Sequence, residues 1–295
     1  MSEGMLVGKV ALVTGGSRGM GREMAIAFAR EGAAGVAVMA APGSDETEAE
    51  IRAEIDAVVA EIEATGGRAL GILGDVGKWA DCRRAVEDTI AAFSGLDILV
   101  NNAGKSGRYV GTGGKRRIPF FEADTAGYCE VIETNVNGPF LMARAAAPHM
   151  IKAGWGRIIN VSKNVDAMHR ALNSPYGPSK AALEAATLVW AEDLMGTGVT
   201  VNSLGPGGSV NTKFGSGQLP GAGMDPSVMV PPVVWLASDA SDGVTGCRYI
   251  AKHWDAALAP DQAAEGCREP AVFPVPERET PLERAWAKSP LSRRR

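Results

Sequence analysis

Cysteine is scarce in this sequence, with only Cys82, Cys129, Cys247 and Cys267 among 295 residues. They are widely spaced, and neither a CxxC pair nor a cysteine/histidine cluster occurs. The pattern offers no disulfide framework and no metal site, so reduced thiols packed as small hydrophobes are expected. No apolar run reaches the roughly 18 residues of a membrane span, and MSEGMLVGKVALVTGG lacks a basic segment leading into a long apolar core. A cytoplasmic protein with no membrane partner is the expectation. Excess charge is missing too: 30 Lys and Arg stand against 34 Asp and Glu, which argues against nucleic acid as a partner.

What remains is the composition of a folded chain, 45% hydrophobic and 22% charged, with 37 glycines. Short apolar runs at Val10 to Thr14, Val36 to Met39, Ala69 to Leu73, Ile98 to Asn101, Arg157 to Val161 and Val199 to Leu204 read as buried strands. Longer stretches lie between them. Met20 to Arg30 and Thr47 to Ala64 carry apolar residues at three- and four-residue steps, the latter at Ile51, Ile55, Val58 and Ile62. Strand and helix in alternation predict an α/β fold, a doubly wound parallel sheet with helices on both faces.

Two segments break the rhythm. Between Gly104 and Glu122, Lys105, Arg108, Lys115, Arg116 and Arg117 occur with no acidic residue among them. Tyr109, Phe120 and Phe121 there form either a wall of the substrate site or an anchor for the loop. From residue 256 to 295 the chain holds six of its 17 prolines and ends on three arginines. Proline at that density opposes regular structure, so the expected organisation is one domain over 1–255 and a tail over 256–295.

Six ordered motifs carry the chemistry. TGGSRGMG, with Gly15, Gly19 and Gly21, joins the first strand to the first helix. Glycines there let the backbone approach a pyrophosphate, and the helix N-terminus faces it with unpaired N–H groups. Asp75-Val76, NNAG at 101–104, NVNG at 135–138, Tyr176 with Lys180 four residues on, and Pro206-Gly207 follow in turn. Together these resemble the short-chain dehydrogenase/reductase family over roughly residues 8 to 255. The resemblance implies a single Rossmann-type domain, a nicotinamide cofactor, interconversion of a small-molecule carbonyl and an alcohol, and a homodimer or homotetramer.

It also implies roles. Gly15, Ser17, Arg18, Gly19, Met20 and Gly21 would cradle the nucleotide. Asp75 would accept from the adenine amino group, with Val76 against the ring. Asn101 would approach the adenosine ribose and Thr212 the nicotinamide amide, with Ala103, Gly104, Pro206 and Gly207 also binding the cofactor. Tyr176 would be the acid/base, with Lys180 beside it and on the nicotinamide ribose, and Asn135 would complete a proton relay. Tyr176 and Lys180 share a helix face by their spacing, and a neighbouring ammonium favours the phenolate. NADP is favoured over NAD because the end of the second strand carries Ala40 and Ala41 in place of an acidic residue for the ribose 2′-hydroxyl. Arg18 stands where a 2′-phosphate would lie. The segment from Phe214 to Pro232 falls at the family's lid.

One position departs from the family. The serine expected 13 residues before the tyrosine is Lys163 here, with Ser162 one residue early. On a strand that single step reverses the side chain. Either Lys163 donates to the substrate oxygen, or a bulge lets Ser162 do so, or the chain binds nucleotide as a regulatory or scaffold protein with impaired turnover. Lys163 and the basic loop together suggest an anionic or polar substrate.

Overall fold

The computed structural model describes residues 4–43, 45–111, 117–212, 214 and 223–273. Their backbone is built around one eight-stranded sheet in the order β3-β2-β1-β4-β5-β6-β7-β8. The strands are β1 (Val10–Thr14), β2 (Gly35–Ala40), β3 (Ala69–Leu73), β4 (Ile98–Asn101), β5 (Gly156–Val161), β6 (Val199–Gly205), β7 (Arg248–Ile250) and β8 (Arg268–Glu269). The first seven pair in parallel, and β8 runs antiparallel to β7. Most are buried on both faces, which is why they read as unbroken apolar runs rather than alternating ones.

The helices are α1 (Gly19–Arg30), α2 (Glu48–Ala64), α3 (Trp79–Phe93), α4 (Thr125–Ile132), α5 (Gly138–Ala153), α6 (Val165–Met168), α7 (Tyr176–Asp193), α8 (Val230–Ala237) and α9 (Pro260–Cys267). One face of the sheet packs on Met24 and Phe28 of α1, Val58 and Ile62 of α2, and Val233 and Leu236 of α8. The other packs on Cys82 and Val86 of α3, Met142 and Met150 of α5, and Ala191 of α7. The expected doubly wound sheet is present, corrected by one antiparallel edge strand. The two strands absent from the sequence reading, β7 and β8, have three and two residues, too few for a period to show.

The packed body runs on past residue 255. Ala263, Ala264 and Cys267 of α9 are buried, Asp261 accepts from Trp235 Nε1 at 2.7 Å, and β8 extends the sheet. Four of the six prolines from 256 onward fall in 274–295, outside the described residues. Of the cysteines, Cys82 and Cys267 are buried, but Cys129 is exposed, against the expectation of packed thiols. Among the described residues no helix is long and apolar enough to cross a membrane.

Strand order reverses between β1 and β4, where one crossover runs to each side. In doubly wound sheets that point opens a crevice at the carboxyl ends of the strands. A cleft of about 410 Å³ lies there.

Candidate active site

The first wall of the cleft is the turn between β1 and α1. Gly15 and Gly19 adopt positive φ, +62° and +56°, a region that side chains with a Cβ rarely occupy. A Cβ on Gly21 would stand 2.2 Å from the Gly15 carbonyl oxygen and 2.5 Å from Asn102 Nδ2. Arg18, the residue before α1, provides no side-chain cap, and Gly19, Met20 and Gly21 of the first turn line the cleft. This donor-rich backbone, at the positive end of a twelve-residue helix, suits the pyrophosphate of a dinucleotide.

The β1 and β4 ends are braced together. Thr14 Oγ1 accepts from the backbone N–H of Asn102 and Ala103 at 3.0 and 3.1 Å, and Asn102 Nδ2 donates to the carbonyls of Thr14 and Gly15 at 2.9 and 3.0 Å. Asn101, expected near the ribose, points the other way. It is buried, and its Nδ2 donates to Asn160 Oδ1 at 2.9 Å; Asn160 in turn donates to Thr187 of α7. The strand's two-residue alternation is the reason: the asparagine at the last strand position turns into the helix layer, and its neighbour borders the cleft.

Gly15, Ser17, Arg18, Gly19, Met20, Gly21, Asp75, Val76, Ala103, Gly104, Pro206 and Thr212 line the cleft together with Lys163, Tyr176 and Lys180. Asn101, Asn135 and Gly207 do not. Gly207, at φ +89°, packs against Lys252 and Ile250, where a Cβ would meet both side chains. Asn135 is wholly buried within a π-helical turn, Glu133–Asn137, that links α4 to α5. Its Oδ1 accepts from Lys105 N at 2.7 Å, and its Nδ2 donates to Lys105 O and Ser179 Oγ. The side chain thus anchors the basic loop and α7 to each other.

Sequence reasoning passed over Glu50 and Glu54. Glu50 borders the cleft near Ala40 and Ala41. Glu54 accepts from Ser17 Oγ at 3.2 Å and pairs with Arg18 at 3.4 Å. The signal was present in the acidic start of α2, but only the packing of α2 against the glycine turn brings these carboxylates there.

At the other end of the cleft, α7 presents Tyr176 and Lys180 one turn apart. Burial lowers Lys180 from 10.5 to about 8, an effect that Glu184 opposes and Lys163 reinforces, and Lys180 Nζ donates to Val161 O at 2.8 Å. Burial also raises the Tyr176 phenol, opposite to the expected tilt toward phenolate. The ring packs against Phe214, centroids 5.8 Å apart. Lys163 Nζ donates to Gly208 O at 2.7 Å, and burial, with Arg170 nearby, lowers its pKa. Ser162 Oγ, buried and also at the cleft, has no hydrogen-bond partner among the described residues.

Of the basic loop, Lys105, Arg108 and Tyr109 reach the cleft, with Lys105 bridged to Glu130 at 2.9 Å. Phe120 and Phe121 are exposed, stack edge-on against each other and do not border the cleft. Lys115, Arg116 and part of the expected lid, residues 215–222, lie outside the described residues.

A dinucleotide turn and a tyrosine/lysine pair facing one cleft at the switch point define a nucleotide-dependent redox fold. Residues 9–218 match the short chain dehydrogenase family, and the chain belongs to it. It is 35% identical over 253 residues to 2,5-dichloro-2,5-cyclohexadiene-1,4-diol dehydrogenase of Sphingobium indicum, covering 82% of this chain and 93% of that one. It is 35% identical over 202 residues to the 3-oxoacyl-[acyl-carrier-protein] reductase of a Synechocystis species, covering 68% and 74%. Among solved structures it resembles a blue fluorescent protein from a metagenomic library in complex with NADPH. That match has 30% identity and a TM-score of 0.70, over 83% of this chain and 96% of that one. A general dehydrogenase/reductase function is supported by these relatives.

Proposed function

We propose that the protein is an NADP-dependent oxidoreductase that interconverts a carbonyl and a secondary alcohol. The observation that carries this is the shared cleft: the glycine turn lies at one end, and Tyr176, Lys180 and Lys163 lie at the other. When bound, the nicotinamide would supply or accept the hydride. The chain's own residues do the rest. The α1 N-terminus and Gly15–Gly21 bind the pyrophosphate, Asp75 and Val76 the adenine, and Thr212 the nicotinamide amide.

Tyr176, its phenol kept protonated by burial, gives its proton to the substrate oxygen in reduction and takes one back in oxidation. Lys180 holds a positive charge one helical turn away. Lys163 releases Gly208 and donates to the same substrate oxygen, in place of the family's hydroxyl. Asn135 acts by fixing the loop and α7, with its side chain already engaged.

A second reading rests on the unpartnered Ser162 hydroxyl, which would serve the substrate oxygen while Lys163 stays on Gly208. Lys105 and Arg108 at the cleft support an anionic or polar substrate. Apolar side chains exposed on α5 and α7, Phe140, Ile151 and Val189, support assembly as a homodimer or homotetramer. The test is a panel of ketones and diketones, with and without a carboxylate, assayed with NADPH and NADH. Tyr176→Phe should lower turnover by about 10² to 10⁴ and leave nucleotide binding intact. A variant that keeps most of its activity would refute the assignment.

A further inference from the structure

Arg248, on the short strand β7, is 2% exposed and is engaged by groups from three other parts of the chain. Its Nη1 pairs with Glu184 Oε1 at 2.6 Å, its Nη2 donates to the backbone carbonyl of Lys163 at 3.1 Å, and its Nε donates to Glu269 Oε2 at 3.3 Å. Glu184 is itself buried, 4% exposed, and its second oxygen accepts from Ser203 Oγ of β6 at 2.8 Å. Glu184 lies on α7 one turn beyond Lys180. Glu269 belongs to β8, directly opposite Arg248 in the pairing register.

The place of the Lys163 carbonyl explains why such a group is needed. The last β5–β6 ladder bond here is Ser162 N to Leu204 O at 3.0 Å. Past it the strand leaves the sheet, and the Lys163 carbonyl is tied down by the guanidinium. A planar fork with fixed N–H directions reaches a carbonyl and two carboxylates at once, which a lysine ammonium on a flexible stem does not. A buried ion pair is a poor means of stabilising a core, since apolar side chains fill the same space without desolvation. What it confers is a fixed relative position for the groups it joins.

We propose that Arg248 is a positioning residue for the active site. It clamps the strand end bearing Lys163 to the helix bearing Tyr176 and Lys180, and Glu269 of the antiparallel strand completes the clamp. The segment beyond residue 255 thereby takes part in building the catalytic geometry. Its effect on turnover rests on the proposed dehydrogenase reaction; its effect on the backbone does not.

The test is Arg248→Lys in the full chain, which keeps the charge and removes the fork. Carbonyl reduction should fall about tenfold in kcat, with KM for NADPH within about twofold, since small misplacements of reacting groups are costly. Amide hydrogen exchange across residues 162–164 should quicken about fivefold or more, with β1 unchanged. Arg157→Lys serves as the control for a purely structural buried arginine, because Arg157 bonds Asp242 and Ser238 at the far end of β5. It should leave exchange at 162–164 as in the wild type.

Wild-type kcat and wild-type exchange in Arg248→Lys would overturn the proposal, as would a uniform quickening like that of a merely destabilised fold. If Arg248→Lys fails to fold, Glu269→Gln carries the test, with about a threefold loss of kcat and the same local exchange change expected; no change in either measure counts against the clamp. A wild-type protein that reduces no carbonyl sinks the dehydrogenase reading, and the exchange data alone then judge the clamp.

Discussion

Lys180→Met should make the protein more stable at pH 7 while removing its activity. Lys180 is 5% exposed, and burial brings its pKa from 10.5 to about 8. At about 1.4 kcal/mol per tenfold change in proton affinity, keeping that charge at neutral pH costs the fold about 3 kcal/mol. Methionine, of similar length, escapes that cost but leaves the Val161 carbonyl without its donor, at about 1 kcal/mol, for a net gain of about 2 kcal/mol.

For a chain of this size that is a rise in Tm of about 4 to 8 °C. The sign follows from proton counting. Between about pH 8 and pH 10.5 the unfolded chain still holds the lysine proton and the folded chain has released it. Wild-type stability therefore climbs with pH over that window. The advantage of the variant should be greatest at pH 7 and close toward pH 10. Thermal melts of nucleotide-free protein at both pH values, with turnover measured in parallel, check this. A lower Tm for the variant at pH 7, or a gap that ignores pH, would refute the reasoning.

Lys163→Ala should lower turnover about 10²-fold, with Lys163→Ser recovering part of it, because one donor to a developing alkoxide is commonly worth about 3 kcal/mol; the opposite pattern, a damaging Ser162→Ala with a silent Lys163→Ala, would assign the role to Ser162. Glu54→Gln frees Arg18 from its 3.4 Å partner and should tighten NADPH binding several-fold, whereas Arg18→Ala should weaken NADPH about tenfold and leave NADH nearly unchanged, as fluorescence titration would show. Equal losses for both nucleotides would place Arg18 in a structural role. Gly21→Ala forces a Cβ onto the Gly15 carbonyl and Asn102 and should cost about 1 to 3 kcal/mol of stability, with nucleotide affinity reduced at least about tenfold in the same titration.

Much of the fold was legible because it rests on local signals. Apolar runs at 10–14 and 98–101 coincide with β1 and β4, since a strand buried on both faces leaves nothing else to write. The glycine turn was legible for a similar reason: positive φ at Gly15 and Gly19 is a local backbone demand that one residue type meets. The helical spacing of Tyr176 and Lys180 likewise places them on one face of α7 before any tertiary contact is known.

Which asparagine of Asn101 and Asn102 borders the cleft depends on the parity of β4 against its neighbours. The approach of Glu54 to Arg18 depends on how α2 packs over the turn. The joining of Arg248, Glu184, Glu269 and the Lys163 carbonyl brings together residues up to about a hundred positions apart in the chain. The amino-acid sequence alone thus determined the first six strands, the glycine turn and the shared helix face of Tyr176 and Lys180. Only the tertiary structure decided how their charges are partnered, because a buried charge takes its value from the groups that the whole fold sets against it.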